Sequence, residues 1–279
     1  MFPTNPIELI AVDLDGTLLN SQHQLSERTV NALRKAMEHG VQVVLATGKT
    51  RRSAQEAIER LDLATPGVYL QGLILYNGDG SVRAQQQLEP ELARQLVEFA
   101  GREAVALAAY SGLDIYTPKR SAQTDKLARY HEPLPQEIPA AELLALPINK
   151  ILLIDEPERV SEVREQLAPQ VEGRATLVQA LDDMLEILPF GASKGAGLKR
   201  LLDDLGIAPE RVLAIGDAEN DIEMLQLAGI GVAVGNAMPQ TKAAADFVVT
   251  SNDEDGVAEA VERFVFGKNV YASGVEETD

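Results

Sequence analysis

Two aspartates separated by one residue stand directly after an apolar run near the start of the chain. The stretch 7–19 reads Ile-Glu-Leu-Ile-Ala-Val-Asp-Leu-Asp-Gly-Thr-Leu-Leu, which places the aspartates at Asp13 and Asp15. A short apolar run closed by a turn signal is typical of a buried parallel strand, and ligands bind beyond the carboxyl ends of such strands. Two carboxylates this close repel each other, so a cation or a shared proton is needed to hold them together. By itself the pattern is equally compatible with an ordinary turn.

Other polar residues follow predicted strand ends or begin predicted helices. They are Thr47 and Gly48, Lys194, and Asp217 with Asn220 and Asp221. Three carboxylates suit a hard cation such as Mg²⁺, which prefers oxygen ligands. A hydroxyl, nearby backbone N–H groups and a lysine suit a phosphate. Phosphoryl transfer depends on positioning and charge neutralisation, and this set of residues can supply both.

Alternating strands and helices are predicted to position these residues. The alternation at both ends of the chain is typical of a doubly wound parallel sheet, so we predict an α/β fold with a Rossmann-like core. In the middle of the chain, strands, helices and a proline-rich link are mixed in a pattern typical of an α+β domain. The predicted division is a catalytic core at 1–82 and 189–279, with an inserted α+β domain at 83–188.

The motifs, taken in order, resemble those of haloacid dehalogenase (HAD) superfamily phosphatases of the Cof-type subfamily, which carry an inserted type IIB cap. The matching segments are Asp-Leu-Asp-Gly-Thr-Leu-Leu at 13–19, Ala-Thr-Gly at 46–48, Lys-Gly at 194–195, Gly-Asp-Ala-Glu-Asn-Asp at 216–221 and Gly-Val-Ala-Val-Gly-Asn-Ala at 231–237. The resemblance covers the chain to about Phe266. It implies that the insert is a cap that closes over the core, excludes water and sets substrate specificity.

The resemblance implies catalytic and phosphate-binding roles. Asp13 would be the nucleophile that forms an aspartyl-phosphate. Asp15 would be the general acid toward the leaving oxygen and then the general base toward water. Lys194 would neutralise the nucleophile and the phosphoryl group. Thr47 and Gly48 would bind that phosphoryl group.

The resemblance also implies a metal site. Mg²⁺ would be the cofactor, held by Asp13, Asp217 and the backbone carbonyl of Asp15. Asn220 would contact the phosphate and, with Asp221, orient the ligands, with Asp221 acting through water or through contacts outside the ligand set. One departure from the family pattern is Lys49, where relatives often carry arginine. Lysine keeps the charge but loses the planar fork, which puts substrate contacts there in doubt. The Asn77-Gly78 turn also matches a family turn, with a weaker claim to a role.

Composition limits the partners. The sequence holds 25 basic and 43 acidic residues, a net charge of −18, which disfavours binding to nucleic acid or to anionic membranes;. There is no cysteine, so disulfides, thiolate metal sites and cysteine nucleophiles are excluded;. No apolar run approaches the roughly 20 residues of a membrane span, and the first residues lack a secretory signal. We therefore expect a cytoplasmic protein with neither nucleic acid nor membranes as partners. The resemblance implies a small phosphorylated metabolite as the partner, and we expect a monomer or homodimer.

Two other catalytic motifs can be excluded. The segment Gly191-Ala-Ser-Lys-Gly195 matches the nucleophile elbow of α/β-hydrolases. That mechanism requires a histidine after the serine, and the last histidine in this chain is His131;. Gly48-Lys49-Thr50 ends like a P-loop without the preceding glycine;. The predicted activity is Mg²⁺-dependent hydrolysis of phosphomonoesters, with sugar phosphates as the expected substrates. A phosphomutase with the same nucleophile and a non-catalytic sensor of a phosphorylated ligand are the alternatives.

Overall fold

The computed structural model describes residues 6–267. The first five residues and the last twelve of the predicted core, 268–279, lie outside the described residues. The strands are β1 (Leu9–Val12), β2 (Gln42–Leu45), β3 (Gly67–Tyr69), β4 (Ile74–Tyr76), β5 (Val82–Gln85), β6 (Ala106–Ser111), β7 (Asp114–Thr117), β8 (Gln136–Glu137), β9 (Lys150–Ile154), β10 (Ala175–Leu181), β11 (Met184–Pro189), β12 (Val212–Gly216), β13 (Ile230–Ala233) and β14 (Phe247–Val248). The helices are α1 (Glu27–Glu38), α2 (Gln55–Leu61), α3 (Pro90–Glu103), α4 (Ala122–Asp125), α5 (Ala140–Leu143), α6 (Pro157–Val171), α7 (Lys194–Leu205), α8 (Ile222–Leu227), α9 (Pro239–Ala244) and α10 (Gly256–Phe264).

A parallel sheet with the strand order β14-β13-β12-β1-β2 forms the core. β1 lies between β2 and β12 because its four residues are apolar and buried on both faces;. Leu9 packs with residues of α7, whereas Ile10 packs with residues of α1 and α10 on the opposite face. Val12 is in register with Leu45 and with Ile215, so the three strands end at one edge. The predicted α/β core is confirmed.

A small antiparallel sheet, β3-β4-β5, lies beside the core sheet. A β-bridge between Ala46 and Val68 joins it to the end of β2. The apolar run 73–76 is typical of a core strand, but it forms β4 in this antiparallel sheet and lies outside the parallel one. The predicted boundary between residues 82 and 83 falls inside β5, which pairs with β4.

A larger sheet with the order β10-β11-β9-β6-β7-β8 forms the cap. Its strand pairs are antiparallel except β7 with β8. One face packs on α3 and α6 through a separate apolar cluster that includes Phe99, Val163 and Leu185. The other face lies over the edge where β1, β2 and β12 end, and it carries Tyr110 and Lys150. The predicted α+β cap is confirmed by this arrangement.

Among residues 6–267, no helix is both long enough and apolar enough to span a membrane. The cytoplasmic location stays a prediction.

Candidate active site

A buried lysine joins two aspartates at the carboxyl edge of the core sheet. Asp13 follows β1, and its backbone N–H donates to the carbonyl of Ile215 at 3.0 Å. Lys194 is the first residue of α7, and its Nζ donates to Asp13 Oδ1 at 2.5 Å and to Asp221 Oδ1 at 2.7 Å. The exposed fraction of Lys194 is 2% and that of Asp13 is 4%. Burying an ion pair this deeply costs desolvation free energy, which close contacts must offset. The fold therefore has to hold these side chains at short, fixed distances.

The charges at this edge are unbalanced. Burial raises the pKa of Asp13 well above its usual range, against the attraction of Lys194, and the neighbouring carboxylates Asp221 and Asp217 add to the rise. Burial also raises the pKa of Asp217. For Lys194, burial opposes the charged form, but the two carboxylates outweigh it and raise the pKa above its usual value. Three carboxylates with one ammonium leave negative charge that a bound cation would neutralise.

Asp217 follows β12 and is fixed by the loop after β1. Its Oδ1 accepts a hydrogen bond of 2.8 Å from the Thr17 hydroxyl. Gly16 has φ +76°, and a Cβ at this position would lie 2.5 Å from Asp217 Oδ2. The Gly16 carbonyl accepts a hydrogen bond of 2.7 Å from Asn236 Nδ2. Glycine is therefore required here both for its backbone conformation and for the approach of the carboxylate.

Asp221 uses both of its oxygens inside the protein. Oδ1 accepts from Lys194, and Oδ2 accepts from the backbone N–H groups of Asp217 and Ala218, each at 3.0 Å. Oxygens of Asp13, Asp217 and Asp221 lie within 4.8 Å of one another, a spacing that a single cation can span. Because Asp221 is occupied in this way, its geometry fits a residue that orients Lys194 and the Asp217 loop.

The predicted phosphate-binding residues lie beside this cluster. Thr47 follows β2, is 1% exposed, and accepts a hydrogen bond of 3.1 Å from the backbone N–H of Lys49 at its Oγ1. A Cβ on Gly48 would lie 2.7 Å from Nε2 of Gln71. Nδ2 of Asn220 donates to Gln71 Oε1 at 3.0 Å, while its Oδ1 is buried and accepts no hydrogen bond from the described residues. Gln71 thus connects Gly48 with Asn220.

Gln71 was not predicted from the sequence. It lies in a segment where Leu70, Gln71 and Gly72 all have positive φ values, of +49°, +60° and +88°. Such backbone is uncommon for residues other than glycine and is found at functional sites. The Gln71-Gly72 pair is the signal in the sequence, whereas the resemblance points to the Asn77-Gly78 turn. That turn joins β4 to β5, and the carbonyl of Gly78 accepts a hydrogen bond from the Arg51 guanidinium.

Asp15 stands apart from the carboxylate cluster. Its Oδ1 forms an ion pair of 2.7 Å with Lys49 Nζ and lies 3.6 Å from Nδ1 of His23. Lys49, which the sequence left in doubt as a substrate contact, thus contacts the predicted general acid. His23 was not predicted at this site either. Its partner lies eight positions earlier in the chain, and no local pattern signals the contact.

A cavity of about 300 Å³ joins the core residues to the cap. We call it the catalytic cavity, and its charged and polar lining residues are Asp13, Asp15, His23, Thr47, Lys49, Tyr110, Tyr130, Glu132, Lys150, Glu186, Lys194 and Asn220. The predicted residues Asp13, Asp15, Thr47, Gly48, Lys194 and Asn220 therefore share one cavity. Asp217 and Asp221 adjoin it through Asp13 and Lys194.

The chain matches known proteins over most of its length. The family model for haloacid dehalogenase-like hydrolases matches residues 10–261. "Endoribonuclease YBEY, chloroplastic" of Arabidopsis thaliana is 41% identical over 270 residues, which cover 92% of this chain but 46% of that protein. "Putative phosphatase YxeH" of Bacillus subtilis is 33% identical over 275 residues, covering 94% of this chain and 99% of that protein. A crystal structure of a haloacid dehalogenase-like hydrolase from Bacteroides thetaiotaomicron has a TM-score of 0.86 at 31% identity, covering 92% of this chain and 99% of that one.

The chain belongs to the haloacid dehalogenase-like hydrolase family. The family predicted from the motifs is therefore confirmed, as is the prediction of an enzyme of the phosphatase type.

Proposed function

We propose that this protein hydrolyses phosphomonoesters of small metabolites, such as sugar phosphates, in a Mg²⁺-dependent reaction with an aspartyl-phosphate intermediate on Asp13. The observation that carries the proposal is the buried Asp13–Lys194–Asp221 arrangement at the end of β1. It holds a carboxylate, a permanent positive charge and a second carboxylate in one orientation before substrate binds. Such preorganised charge is the main requirement of phosphoryl transfer.

Asp13 is suited to be the nucleophile. Lys194 holds its Oδ1, so Oδ2 is the oxygen that attacks phosphorus as the bond to the leaving oxygen breaks;. Lys194 also offsets the charge that develops on the phosphoryl oxygens. Thr47 and Gly48, at the end of the neighbouring strand, bind those oxygens.

Asp15 is suited to transfer protons. It lies in the catalytic cavity but outside the carboxylate cluster, paired with Lys49 at 2.7 Å. In its protonated form it gives a proton to the leaving oxygen, and as a carboxylate it then takes one from the water that attacks phosphorus. That second step restores Asp13 and releases inorganic phosphate.

The residues present fit Mg²⁺. The oxygens of Asp13 and Asp217, with the Asp15 carbonyl, would hold the ion, while Asp221 and Asn220 orient this loop;. When bound, Mg²⁺ supplies charge neutralisation for the carboxylates and the phosphoryl group. The negative charge left over at this edge supports the assignment, because it would otherwise destabilise the fold;.

The cap contacts the core next to the phosphate-binding residues. Lys150 Nζ donates to the Gly48 carbonyl at 3.3 Å, and Glu132 Oε2 accepts from the Ser53 hydroxyl at 2.5 Å. A cap held here excludes bulk water from Asp13 and brings its own side chains to the leaving group. The ribonuclease activity named for the Arabidopsis relative is not carried over, because this chain spans 46% of that protein.

The test is release of inorganic phosphate from a panel of phosphomonoesters, with Mg²⁺ and with EDTA, for the wild type and Asp13→Asn. We expect Mg²⁺-dependent release that the variant lacks. Asp203→Asn is the matched control, since Asp203 is an exposed carboxylate paired with Lys199 on α7. Release that persists in Asp13→Asn would exclude this nucleophile.

The two alternatives give different results in the same assay. Dependence on a bisphosphate activator, with phosphate returned to a sugar, would identify a phosphomutase. Saturable ligand binding without release from any ester would identify a sensor.

A further inference from the structure

The cap places charged residues over the catalytic cavity on an otherwise apolar sheet face. Alternate residues of β6, β9 and β11 point to this face, because side chains in a strand alternate between its two sides. We call the residues of this face that line the catalytic cavity the cap wall; they are Tyr110, Lys150, Leu152, Met184 and Glu186. Burying the charges of Lys150 and Glu186 among Leu152 and Met184 is costly, and an apolar pair would serve the fold at least as well. The charged pair therefore suggests a role beyond stability.

The ammonium of Lys150 is fully used within the protein. It donates to Glu186 Oε2 at 2.9 Å and to the Gly48 carbonyl at 3.3 Å, and it lies 4.5 Å from the centre of the Tyr110 ring. An ammonium has three N–H donors, and each of these contacts accounts for one. The side chain of Lys150 is 4% exposed. Little of its charge is left for a ligand.

The carboxylates of the cavity keep free acceptor oxygens. Within residues 6–267, Glu186 accepts a hydrogen bond from Lys150 alone, at Oε2, which leaves Oε1 free. Glu132 accepts from Ser53 and Thr50, both at Oε2, so its Oε1 is also free among these residues. A carboxylate can accept about four hydrogen bonds, and neither group is near that limit.

The cavity as a whole likewise has carboxylates with free oxygens but lysines that are already paired. Each of its lysines in the described chain is paired with a carboxylate: Lys49 with Asp15, Lys150 with Glu186, and Lys194 with Asp13 and Asp221. Glu132 has no lysine within ion-pair distance among these residues. Within the described residues, the part of the cavity next to the cap thus offers acceptor oxygens and no lysine without a carboxylate partner.

We propose that Glu186 and Glu132 select phosphomonoesters whose leaving group is uncharged and carries hydroxyl groups, and exclude those whose leaving group carries a carboxylate or a second phosphate. This inference rests on the proposed function and specifies its substrate class. Hydroxyl groups donate strong, charge-assisted hydrogen bonds to free carboxylate oxygens. Among the described residues, each lysine of the cavity is already paired with a carboxylate, so an anionic leaving group would be repelled by these oxygens, and such repulsion is an effective means of discrimination;.

The test compares two pairs of esters that differ only by CH₂OH against COO⁻: glycerol 3-phosphate with 3-phosphoglycerate, and sorbitol 6-phosphate with 6-phosphogluconate. The measured quantity is the ratio of kcat/KM within each pair, by phosphate release with Mg²⁺. We expect the wild type to prefer the alcohol by roughly tenfold or more, the size of a charge contact partly screened by water.

Variants of Glu186 and of Lys150 should change this kcat/KM ratio in opposite directions. Glu186→Gln removes the repulsion and leaves Lys150 unpaired, so the ratio should fall to one or reverse. Lys150→Gln frees Glu186, so the ratio should rise. Glu132→Gln, as an independent variant, should lower it. A merely structural role would reduce activity on both esters of a pair and leave the ratio unchanged.

The matched control is Glu103→Gln, which breaks a cap ion pair with Arg159, 2.7 Å long, between residues that do not line the catalytic cavity. Its ratio should equal that of the wild type. A wild type without preference, or a ratio unmoved by Glu186→Gln and Glu132→Gln in folded protein, would overturn the inference while leaving the hydrolase intact. Absence of release from all four esters and from p-nitrophenyl phosphate would overturn the proposed function itself, and the inference with it.

Discussion

Replacing Lys194 with methionine tests whether the buried ion cluster is as tightly coupled as its geometry indicates. Methionine has a similar length and no charge, so Lys194→Met removes the ammonium without opening a large cavity. The side chain of Lys194 is 2% exposed, and the side chains of its two partners, Asp13 and Asp221, are 6% and 0% exposed. The carboxylate of Asp221 cannot regain water without local opening of the fold.

The expected cost follows from the burial of those partners. Removing one member of a buried ion pair destabilises a protein by about 3–5 kcal/mol, because a charge is left uncompensated. Asp13 already titrates at a raised pKa because it is buried, so it can take up a proton and limit the loss;. Asp221 retains the backbone N–H donors of Asp217 and Ala218. We therefore expect the low end of the range, about 3 kcal/mol.

The assay is urea unfolding at pH 7 in EDTA, followed by circular dichroism, with the free energy of unfolding extrapolated linearly to water. Lys199→Met is the matched control on the same helix. Lys199 pairs with Asp203 at 2.8 Å, but the two side chains are 61% and 66% exposed. We expect this exposed pair to contribute less than about 1 kcal/mol. If the two variants lost the same free energy, the argument from burial would be refuted.

Three further outcomes are expected. Asp13→Asn should lower phosphate release by several orders of magnitude yet change the unfolding free energy by less than about 1 kcal/mol, because asparagine has nearly the same shape and Lys194 keeps its ion pair with Asp221;. Gly72→Ala should cost about 3 kcal/mol or more in urea unfolding, because φ is +88° and the added Cβ would overlap the carbonyl oxygen of Ser193;. Glu132→Gln should gain stability relative to the wild type as pH rises, measured by thermal unfolding at several pH values. Burial raises the pKa of the Glu132 carboxyl above its ordinary 4.5, so its contribution favours folding below pH 4.5 and is lost as pH rises through the folded pKa;.

Each of these has its own control. Gly40 has φ +84°, and no atom of residues 6–267 lies within 4 Å of an added Cβ, so Gly40→Ala should cost only the backbone strain of about 1 kcal/mol;. Equal losses in the two alanine variants would contradict the steric argument at Gly72. An unfolding free energy for Asp13→Asn several kcal/mol below that of the wild type would show a structural role. A stability difference for Glu132→Gln that is constant with pH would contradict the raised pKa.

The sequence alone determined the core and its motif residues. Asp13, Thr47 and Asp217 each follow a short apolar strand, and strands of a parallel sheet end at one edge, so their proximity follows from local pattern and topology together;. The position of Lys194 at the start of a helix can also be predicted from its neighbours, since Ser193 before it is a typical N-cap residue;. These features need only neighbouring residues to be recognised.

Only the tertiary structure decided the contacts between distant segments. The strand at 74–76 has the same composition in a parallel or an antiparallel sheet, so its place beside β3 and β5 could not be predicted;. Lys150 reaches Gly48 across 102 positions of the chain and Glu186 across 36. Which charges meet over the catalytic cavity depends on strand order and register in the cap, which local patterns leave undetermined. For this reason the sequence was enough to predict the catalytic residues, whereas the side chains proposed to select the substrate were found only in the folded cap.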